Sequence, residues 1–412
     1  MSGEISVNGS KNAAMAVLAG CVLVPGKCRI ENVPDIVDVR NFLKILEFLG
    51  GSFEFSGHVV TVDTANLESK PLPAELVGRL RGSILFAGAL LGRFGKAELT
   101  LPGGDAIGSR PIDQHLDGFR KLGAEVVETS QGFSAQGKLS GARIVLGVSS
   151  VTGTENLILA ASLARGITEI RMAATEPHVQ DLCKFLNLCG AKIAGVGTPI
   201  LRITGVESLT SANFRIGSDD IEAVTCAVAA AATRSEIVIH GVNLDNLDAP
   251  LAVLDRMGVK FTCYPGKTAD TGSIKIQKPV GAYHATKIVT GVFPQLLTDE
   301  QPLLGVLATQ AEGETMIHDW IYEGRQGYLR SLAAMGAKVR FDDAHRAVVN
   351  GPTSLQGAEI RTADLRAGAS IIIASLVARG QSIIYNAEII DRGYERLDER
   401  LNALGAKIER QE

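Results

Sequence analysis

The sequence predicts an α/β protein of two domains, each made of three copies of a strand–helix–strand–helix–strand–strand repeat. A Leu-Gly-Ala signature, or a close variant of it, recurs six times along the chain, roughly every 70 residues. Each copy follows an amphipathic helical pattern and precedes an alternating strand pattern. Because 412 residues are enough for two or three domains, the six units are expected to form two globular groups of three.

The glycine of each signature is predicted to end a helix and lead into a strand. Glycine is favoured just after a helix because it adopts a positive φ without steric cost. The six signature glycines are Gly50, Gly123, Gly190, Gly258, Gly336 and Gly405.

Each repeat contains two helices of different character. The first is apolar on nearly all sides and is expected to be buried, whereas the second is amphipathic and is expected to face water. The first helices read SKNAAMAVLAG, LRGSILFAGALL, TENLILAASLA, DDIEAVTCAVAAAA, DEQPLLGVLAT and DLRAGASIIIASLVA. The second helices read VDVRNFLKILEF, PIDQHLDGFRK, PHVQDLCKFLNL, DNLDAPLAVLDR, GRQGYLRSLAA and DRGYERLDERLNA.

The amino-acid composition restricts the classes of ligand that the protein is expected to bind. With 46% apolar and 21% charged residues, the chain is typical of a folded, soluble protein. A net charge of −4 and 5% aromatic residues argue against nucleic acid as a partner, so an anionic ligand needs a local cationic cluster. The six cysteines show neither C-x-x-C nor a metal-ligand spacing, which favours reduced core thiols, no metal and a reducing compartment such as the cytoplasm.

The apolar run 13–24 has the length of a signal-peptide core. Only Lys11 precedes it, so the basic region that such a peptide needs is missing, and a structural helix is the better interpretation. Other apolar runs stop near ten residues, too short to span a bilayer, and no membrane association is expected.

The informative charges cluster at predicted helix starts. The positive end of a helix dipole disfavours cations, so a repeated exception suggests a functional site. A bound polyanion would reverse this effect, because backbone N–H groups and side-chain cations would then act together. Lys11, Arg81 and Arg366 are predicted to begin first helices, and Arg110, Arg325 and Arg392 to begin second helices.

Carboxylates occupy similar positions, and two explanations for them stay open. Aspartate before a helix is ordinarily an N-cap, whereas beside a phosphate-binding cluster it could act as a base. The carboxylates are Glu155, Asp219, Asp220, Asp299 and Asp364.

The segment LPGGDAIGSRPIDQH, Leu101 to His115, is rich in glycine and proline. It is predicted to be a mobile, lid-like loop over 101–110 that carries Asp105 and leads into a helix at Pro111. His115 is expected to orient a ligand or a neighbour rather than to catalyse. The glycine patterns of P-loop and Rossmann nucleotide sites are absent.

Over nearly its whole length the chain resembles the enolpyruvyl transferase family, most closely the UDP-N-acetylglucosamine 1-carboxyvinyltransferases of peptidoglycan synthesis. The motifs that carry the resemblance are SKNAA (Ser10–Ala14), LRGS (Leu80–Ser83), LPGG-x-x-IG-x-RP-x-D-x-H (Leu101–His115), TEN (Thr154–Asn156), TADLRAGAS (Thr362–Ser370) and DRGYER (Asp391–Arg396).

The resemblance implies an inside-out α/β barrel fold with the active site in the cleft between two domains. The first would span 11–217 with its mobile loop 101–110, and the second 1–10 and 218–412. The implied reaction transfers the enolpyruvyl group of phosphoenolpyruvate to the 3-hydroxyl of UDP-N-acetylglucosamine by addition and elimination, releasing phosphate. It needs no cofactor and no metal, and the protein would be a monomer or a weak oligomer.

The resemblance also implies roles for individual residues. Catalytic roles fall to Lys11, Asp105, Asp299 and Arg392, with Asp299 as the base. Substrate binding falls to Asn12, Arg81, Arg110, Pro111, Ile112, Asp113, His115, Ser150, Val151, Thr152, Ile321, Arg325, Asp364 and Arg366.

The chain departs from the family pattern at three places, which keep other functions open. Asp105 replaces the usual cysteine, Thr152 replaces the usual glycine, and FPQLLTD (Phe293–Asp299) has three residues more than the family's F-P-T-D. Family members with aspartate in the loop remain active and resist the epoxide fosfomycin. The alternatives are an enolpyruvyl transferase with another nucleotide or nucleoside acceptor, and a non-catalytic protein that binds a sugar nucleotide.

Overall fold

The computed structural model describes residues 1–105 and 107–411, and the chain divides into two units. The first unit comprises Gly9–Gly104 and Arg110–Gly217. The second unit comprises Met1–Asn8, Asp105–Ser109 and the chain from Ser218 onward. The segment Asp105–Ser109, which the sequence placed with the first domain, thus groups with the second unit, because it hydrogen-bonds to a turn there.

The elements up to residue 217 are β1 (Ser2–Ser6), α1 (Lys11–Cys21), β2 (Lys27–Glu31), α2 (Val37–Phe48), β3 (Ser52–Ser56), β4 (Val59–Asp63), α3 (Ala74–Val77), α4 (Leu85–Phe94), β5 (Lys96–Thr100), α5 (Asp113–Lys121), β6 (Glu125–Glu128), β7 (Gly132–Gln136), β8 (Arg143–Val145), α6 (Val151–Ser162), β9 (Ile167–Arg171), α7 (Pro177–Leu188), β10 (Lys192–Ala194), β11 (Ile200–Thr204) and β12 (Asn213–Arg215).

The later elements are α8 (Asp220–Ala232), β13 (Glu236–Val242), α9 (Asp248–Arg256), β14 (Phe261–Tyr264), β15 (Gly272–Ile276), β16 (Tyr283–His284), β17 (Lys287–Val289), α10 (Gln301–Ala308), β18 (Ala311–His318), α11 (Tyr328–Ala334), β19 (Lys338–Phe341), β20 (Arg346–Gly351), β21 (Glu359–Arg361), α12 (Leu365–Val377), β22 (Ile383–Tyr385) and α13 (Leu397–Ala403). Short 3₁₀ helices span Arg81–Ile84, Leu244–Asn246, Ala269–Thr271, Arg325–Gly327 and Ala387–Arg392.

The sheets of the first unit follow the repeats. Strands are ordered β12–β2–β4–β3 in one sheet, β5–β7–β6 in the next and β8–β9–β11–β10 in the third. The pairs β12–β2 and β8–β9 are parallel, whereas the other pairs in these sheets are antiparallel. Helix α4 packs against α6, and α1 packs against α7, so the apolar helices lie inside the unit.

The second unit repeats this plan with its own core. Its sheets run β1–β13–β15–β14, with β1 parallel to β13, and β16–β18–β20–β19, with β17 also parallel to β18. The parallel pair β21–β22 belongs to the last repeat. Helices α8, α10 and α12 pack against one another in a separate hydrophobic cluster. The predicted α/β repeat architecture is confirmed.

All six signature glycines have a positive φ, as the repeat pattern predicted. After α2, for example, the N–H groups of Gly50 and Gly51 donate to the carbonyls of Glu47 and Leu46 and so close the last turn. The φ angles are 98° at Gly50, 96° at Gly123, 103° at Gly190, 84° at Gly258, 96° at Gly336 and 95° at Gly405.

The apolar first helices are buried, also as predicted, and polar side chains cap several of them. Ser10 caps α1, Ser150 caps α6, Asp219 caps α8 and Asp364 caps α12. The segment 13–24 forms most of α1 and the buried turn after it. In the described part of the chain, every helix is too short or too polar to cross a membrane.

Several predicted positions are wrong. Helix α10 begins at Gln301 with Glu300 at its N-cap, so Asp299 precedes the cap rather than occupying it. Arg392 ends a 3₁₀ helix, and α13 begins only at Leu397. Glu155 lies inside α6 rather than at its start. The helix expected at Pro111 begins at Asp113.

The predicted last strand is also wrong. Within the described residues no strand follows α13, although the signature ALGAKIER predicted one. Elsewhere the strand after each signature pairs with a second strand of the same repeat, and that partner is what this segment lacks in the described chain.

Candidate active site

In the second unit, Asp299 joins two buried arginines. Its Oδ1 lies 2.6 Å from Nη2 of Arg325, and its Oδ2 lies 3.1 Å from Nε of Arg366. Both arginines are less than 5% exposed, whereas 28% of the Asp299 side chain is open to solvent. The carboxylate therefore compensates two buried cations and still offers a surface to a ligand.

Arg325 is fixed by a network around the 3₁₀ helix that it begins. Its Nε donates to Oγ1 of Thr298 at 3.1 Å, and that hydroxyl donates to Asp319 at 2.6 Å. The other oxygen of Asp319 accepts the N–H groups of Ile321 and Tyr322, each at 3.1 Å, and shapes the turn before Arg325. The guanidinium is thus positioned by Thr298 and Asp299, and Asp319 holds Thr298 in place.

Arg366 enters the cluster from the first turn of α12. Its guanidinium lies 5.3 Å from the centre of the Tyr394 ring. Its Nη1 is buried and has no hydrogen-bond partner among the residues that the structure describes. A buried cationic donor without a protein acceptor suits an anionic ligand, because such a group is costly to leave unpaired.

Two further carboxyl groups border this cluster. Asp364 accepts the N–H groups of Arg366 and Ala367, each at 2.9 Å. Burial raises its pKa, the Arg325 cation lowers it, and the Asp105 carboxylate raises it. Burial also raises the pKa of Glu300, the neighbour of Asp299, to about 8, so at neutral pH Glu300 is mostly protonated.

Asp105 reaches the same cluster from the loop. Its Oδ1 lies 2.6 Å from Nη1 of Arg392, and both side chains are less than 20% exposed. The loop residue Ser109 donates its backbone N–H to the Glu323 carboxylate at 2.7 Å. Asp105 and Arg392 therefore form an ion pair within the second unit.

In the first unit, two of the three predicted cations, Lys11 and Arg81, begin helices and have protein partners, whereas Arg110 lies before the N-cap of α5. Lys11, the first residue of α1, is buried, and its Nζ lies 2.7 Å from Oδ2 of Asp38. Arg81 begins its 3₁₀ helix and donates to the backbone carbonyls of Arg110 and Pro111. Arg81 thus positions the backbone of the segment that carries Arg110.

His115 is a buried, neutral residue in a fixed orientation. Asn156 accepts the N–H of Gly88 through Oδ1 and donates through Nδ2 to the carbonyl of Ile84, which assigns its amide orientation. Nδ2 also lies 2.8 Å from Nδ1 of His115, so Nδ1 is the acceptor and Nε2 carries the proton. Nε2 lies 3.3 Å from Oγ1 of Thr152, which it can reach as a donor.

The electrostatic setting of His115 agrees with this assignment. Burial lowers its pKa to about 3, and the nearby Arg81 cation adds to the effect. The imidazole is therefore neutral at physiological pH and cannot act there as an imidazolium acid. This favours the predicted orienting role over a catalytic one.

The other predicted binding residues lie beside these groups. Ser150 caps α6 by accepting the N–H of Gly153 at 3.2 Å, and Val151 and Thr152 begin that helix. Ile112 is the N-cap of α5 and Asp113 its first residue, and Asn12 is half-buried in the first turn of α1. Ile321 lies in the turn that Asp319 shapes.

Sequence reasoning missed the residues that hold these groups in place. Asp38 is far along the chain from Lys11, and Thr298, Asp319 and Glu323 follow no helical or strand period. Asn156 was visible only as part of the TEN motif. A search for buried polar residues inside otherwise apolar helices would have found Asn156.

A family model described as EPSP synthase (3-phosphoshikimate 1-carboxyvinyltransferase) matches residues 1–401. The UDP-N-acetylglucosamine 1-carboxyvinyltransferase of Treponema denticola is 41% identical over 100% of this chain and 97% of its own length. The enzyme named UDP-N-acetylglucosamine 1-carboxyvinyltransferase 1 of Carboxydothermus hydrogenoformans is 42% identical over 100% of this chain and 96% of its length.

Solved structures show the same architecture. The enolpyruvyl transferase NikO from Streptomyces tendae superposes with a TM-score of 0.88 at 27% identity, covering 99% of this chain and 95% of that one. An EPSP synthase from Acinetobacter baumannii has a TM-score of 0.78 at 22% identity, with 99% and 96% covered, a likeness of fold alone.

The assignment of His115 predicts a measurable pH dependence. The unfolded imidazole takes up a proton near pH 6.5, whereas the folded one does so only near pH 3. Its contribution to stability is therefore present above pH 6.5 and is lost as the pH falls toward 3. His115→Gln should make the loss of unfolding free energy between pH 6.5 and 4.5 shallower, and the exposed His284→Gln serves as its control. Nitrogen-15 spectra showing His115 titrating near pH 6.5 would contradict the assignment.

Proposed function

Because the chain belongs to the enolpyruvyl transferase family, we propose that it transfers the enolpyruvyl group of phosphoenolpyruvate to the 3-hydroxyl of UDP-N-acetylglucosamine. This is the activity that the names of relatives about 40% identical over the full chain give to those proteins. Phosphate is released, and the reaction belongs to peptidoglycan synthesis in the cytoplasm.

The observation that carries the proposal is the cluster of Asp299, Arg325 and Arg366 with the adjoining Asp105–Arg392 pair. It combines a partly open carboxylate, a general acid candidate and several buried guanidinium groups. Phosphoenolpyruvate carries nearly three negative charges, so its binding needs cationic donors in a site from which water is excluded. In this proposal Lys11, Arg81, Arg110 and Arg392 bind phosphoenolpyruvate and the adduct.

The proposed chemistry has two stages. In the addition, Asp299 takes the proton of the acceptor hydroxyl, the oxygen bonds to C2 of phosphoenolpyruvate, and Asp105 gives a proton to C3. In the elimination, the Asp105 carboxylate takes a proton back from C3, the C2–C3 double bond re-forms, and the C2–O bond breaks with its electron pair leaving on phosphate. Asp105 pairs with Arg392 here as a carboxylate, so it must take up a proton before the addition.

The sugar nucleotide is assigned to the first turns of α1, α5 and α6. Asn12, Asp113, His115, Ser150, Val151 and Thr152 are proposed to contact it. A neutral His115 supports this role, because it supplies an Nε2–H donor without adding charge.

Phosphate release should require both phosphoenolpyruvate and UDP-N-acetylglucosamine. A coupled phosphate assay with each substrate omitted in turn measures this. Release only with another nucleotide or nucleoside would indicate a different acceptor. Binding of UDP-N-acetylglucosamine without release with any acceptor would indicate a non-catalytic binder.

Fosfomycin should not inactivate the protein, because a carboxylate opens an epoxide much less readily than a thiolate does. Asp105→Cys should retain phosphate release and acquire time-dependent inhibition, measured as a loss of rate with preincubation time. Cys263→Ser in the Asp105→Cys protein is the control for the half-buried native thiol. Rapid inactivation of the unsubstituted protein would contradict this prediction.

Asp299→Asn should lower turnover by roughly 100- to 10,000-fold, the usual contribution of a positioned base. The amide oxygen can accept from only one of Arg325 and Arg366 and cannot take the proton, so the melting temperature is measured beside the rate. The measurement is the steady-state rate against pH, with the exposed Asp255→Asn as control. If Asp299→Asn turns over at a near-normal rate, the base lies elsewhere and Asp364 is the next candidate.

A further inference from the structure

The loop that carries Asp105 is attached to the turn before Arg325 by two hydrogen bonds of opposite direction. The N–H of Ser109 donates to Oε1 of Glu323 at 2.7 Å. The N–H of Gly324 donates to the carbonyl of Ile107 at 3.0 Å. Two neighbouring residues of the turn thus hold two nearby residues of the loop, all within the second unit.

Glycine on both sides allows this close approach. A Cβ at Gly324 would lie 2.6 Å from the backbone carbon of Ile107, and one at Gly108 would lie 2.5 Å from Oε2 of Glu323. Gly108 also has a φ of 125°, which disfavours any side chain there. The contact is therefore one of complementary backbone shape as well as of hydrogen bonding.

Glu323 is exposed, and its carboxylate accepts the backbone N–H of Ser109. The N–H of Ser109 is the largest cause of a lowered pKa at Glu323, followed by its own backbone N–H. The carboxylate is thus the form that holds the loop. Hydrogen bonds to an ionised acceptor are stronger than neutral ones, although solvent weakens them at an exposed site.

The turn connects this contact to the charged cluster. Glu323 and Gly324 come directly before Arg325, whose guanidinium pairs with Asp299. At the other end of the loop segment, Asp105 pairs with Arg392. The contact of Ile107 and Ser109 with the turn therefore lies close in sequence both to Asp105 and to Arg325, the partner of Asp299.

We propose that Glu323 and Gly324 are positioning residues that hold the loop so that Asp105 lies on Arg392. They touch neither substrate in this proposal and act through the loop backbone. Their effect on catalysis rests on the proposed function, whereas their effect on the loop does not.

The loop position can be measured without catalysis. In an Asp105→Cys protein, the thiol at position 105 reports its own exposure through its rate of alkylation by the neutral reagent iodoacetamide, followed by peptide mass spectrometry. The Asp105 side chain is only 17% exposed, so release of the loop should speed alkylation. Five of the six native cysteines are buried and Cys263 is half-buried, and each is resolved as a separate peptide.

In this background, Glu323→Ala should raise the alkylation rate about three- to tenfold relative to Glu323→Gln, as expected for loss of one partly solvated hydrogen bond. The glutamine removes the charge but keeps an acceptor oxygen, so the comparison separates the hydrogen bond from any effect of charge on the thiol. Gly324→Ala should raise the rate as well, because its Cβ would displace Ile107. The exposed Glu312→Ala is the control for loss of a surface glutamate.

Equal alkylation rates for Glu323→Ala, Glu323→Gln and Glu312→Ala, with melting temperatures unchanged, would overturn the proposal. In the protein with Asp105 intact, Glu323→Ala should lower kcat for phosphate release, and Glu323→Gln should restore much of it. Absence of phosphate release from the unsubstituted protein would overturn the proposed function instead, and the alkylation result would still test the loop contact.

Discussion

The bridge from Asp299 to Arg325 and Arg366 is the interaction on which the second unit's site depends. Two guanidinium groups buried to this degree would be strongly destabilising without a counter-charge. Asp299 pairs with both, and Asp364 lies 3.8 Å from Arg325 as a second carboxylate. The bridge also joins the residues before α10, the 3₁₀ helix at Arg325 and the start of α12. A change at any of these three places alters the charge balance at the other two.

In the first unit, the buried polar side chains around His115 are held by hydrogen bonds between neutral groups. Asn156 uses each of its hydrogen-bonding positions on backbone or on His115, and the histidine in turn reaches Thr152. Such a chain is rigid because no member can rotate without leaving a buried polar atom unpaired. Of the predicted cations in this unit, Lys11 is balanced by Asp38 and Arg81 is held by backbone carbonyls.

Much of the architecture could be predicted because it is encoded locally. The signature glycines and the apolar helices are short-range features, and a sequence shows them directly. The cation positions were found in the same way, through a conflict with the helix dipole. Asp38, Thr298 and Asp319 could not be found so, since each acts on a residue distant in the sequence. The sequence offered Asp299 as a possible N-cap of α10, but its neighbour Glu300 occupies that position. Two adjacent carboxylates made the exact cap impossible to assign from the sequence.

The six positive-φ glycines show that each repeat fixes its architecture and carries its functional groups at different positions. The second helix of each repeat ends in a glycine with a positive φ. This conformation does not depend on the side chains that pack around it. The starts of the first helices, in contrast, carry different polar groups: lysine in one repeat, arginine in others and serine or aspartate elsewhere. Similar repeats can therefore differ chemically where the first helix starts while the end of the second helix keeps the architecture unchanged.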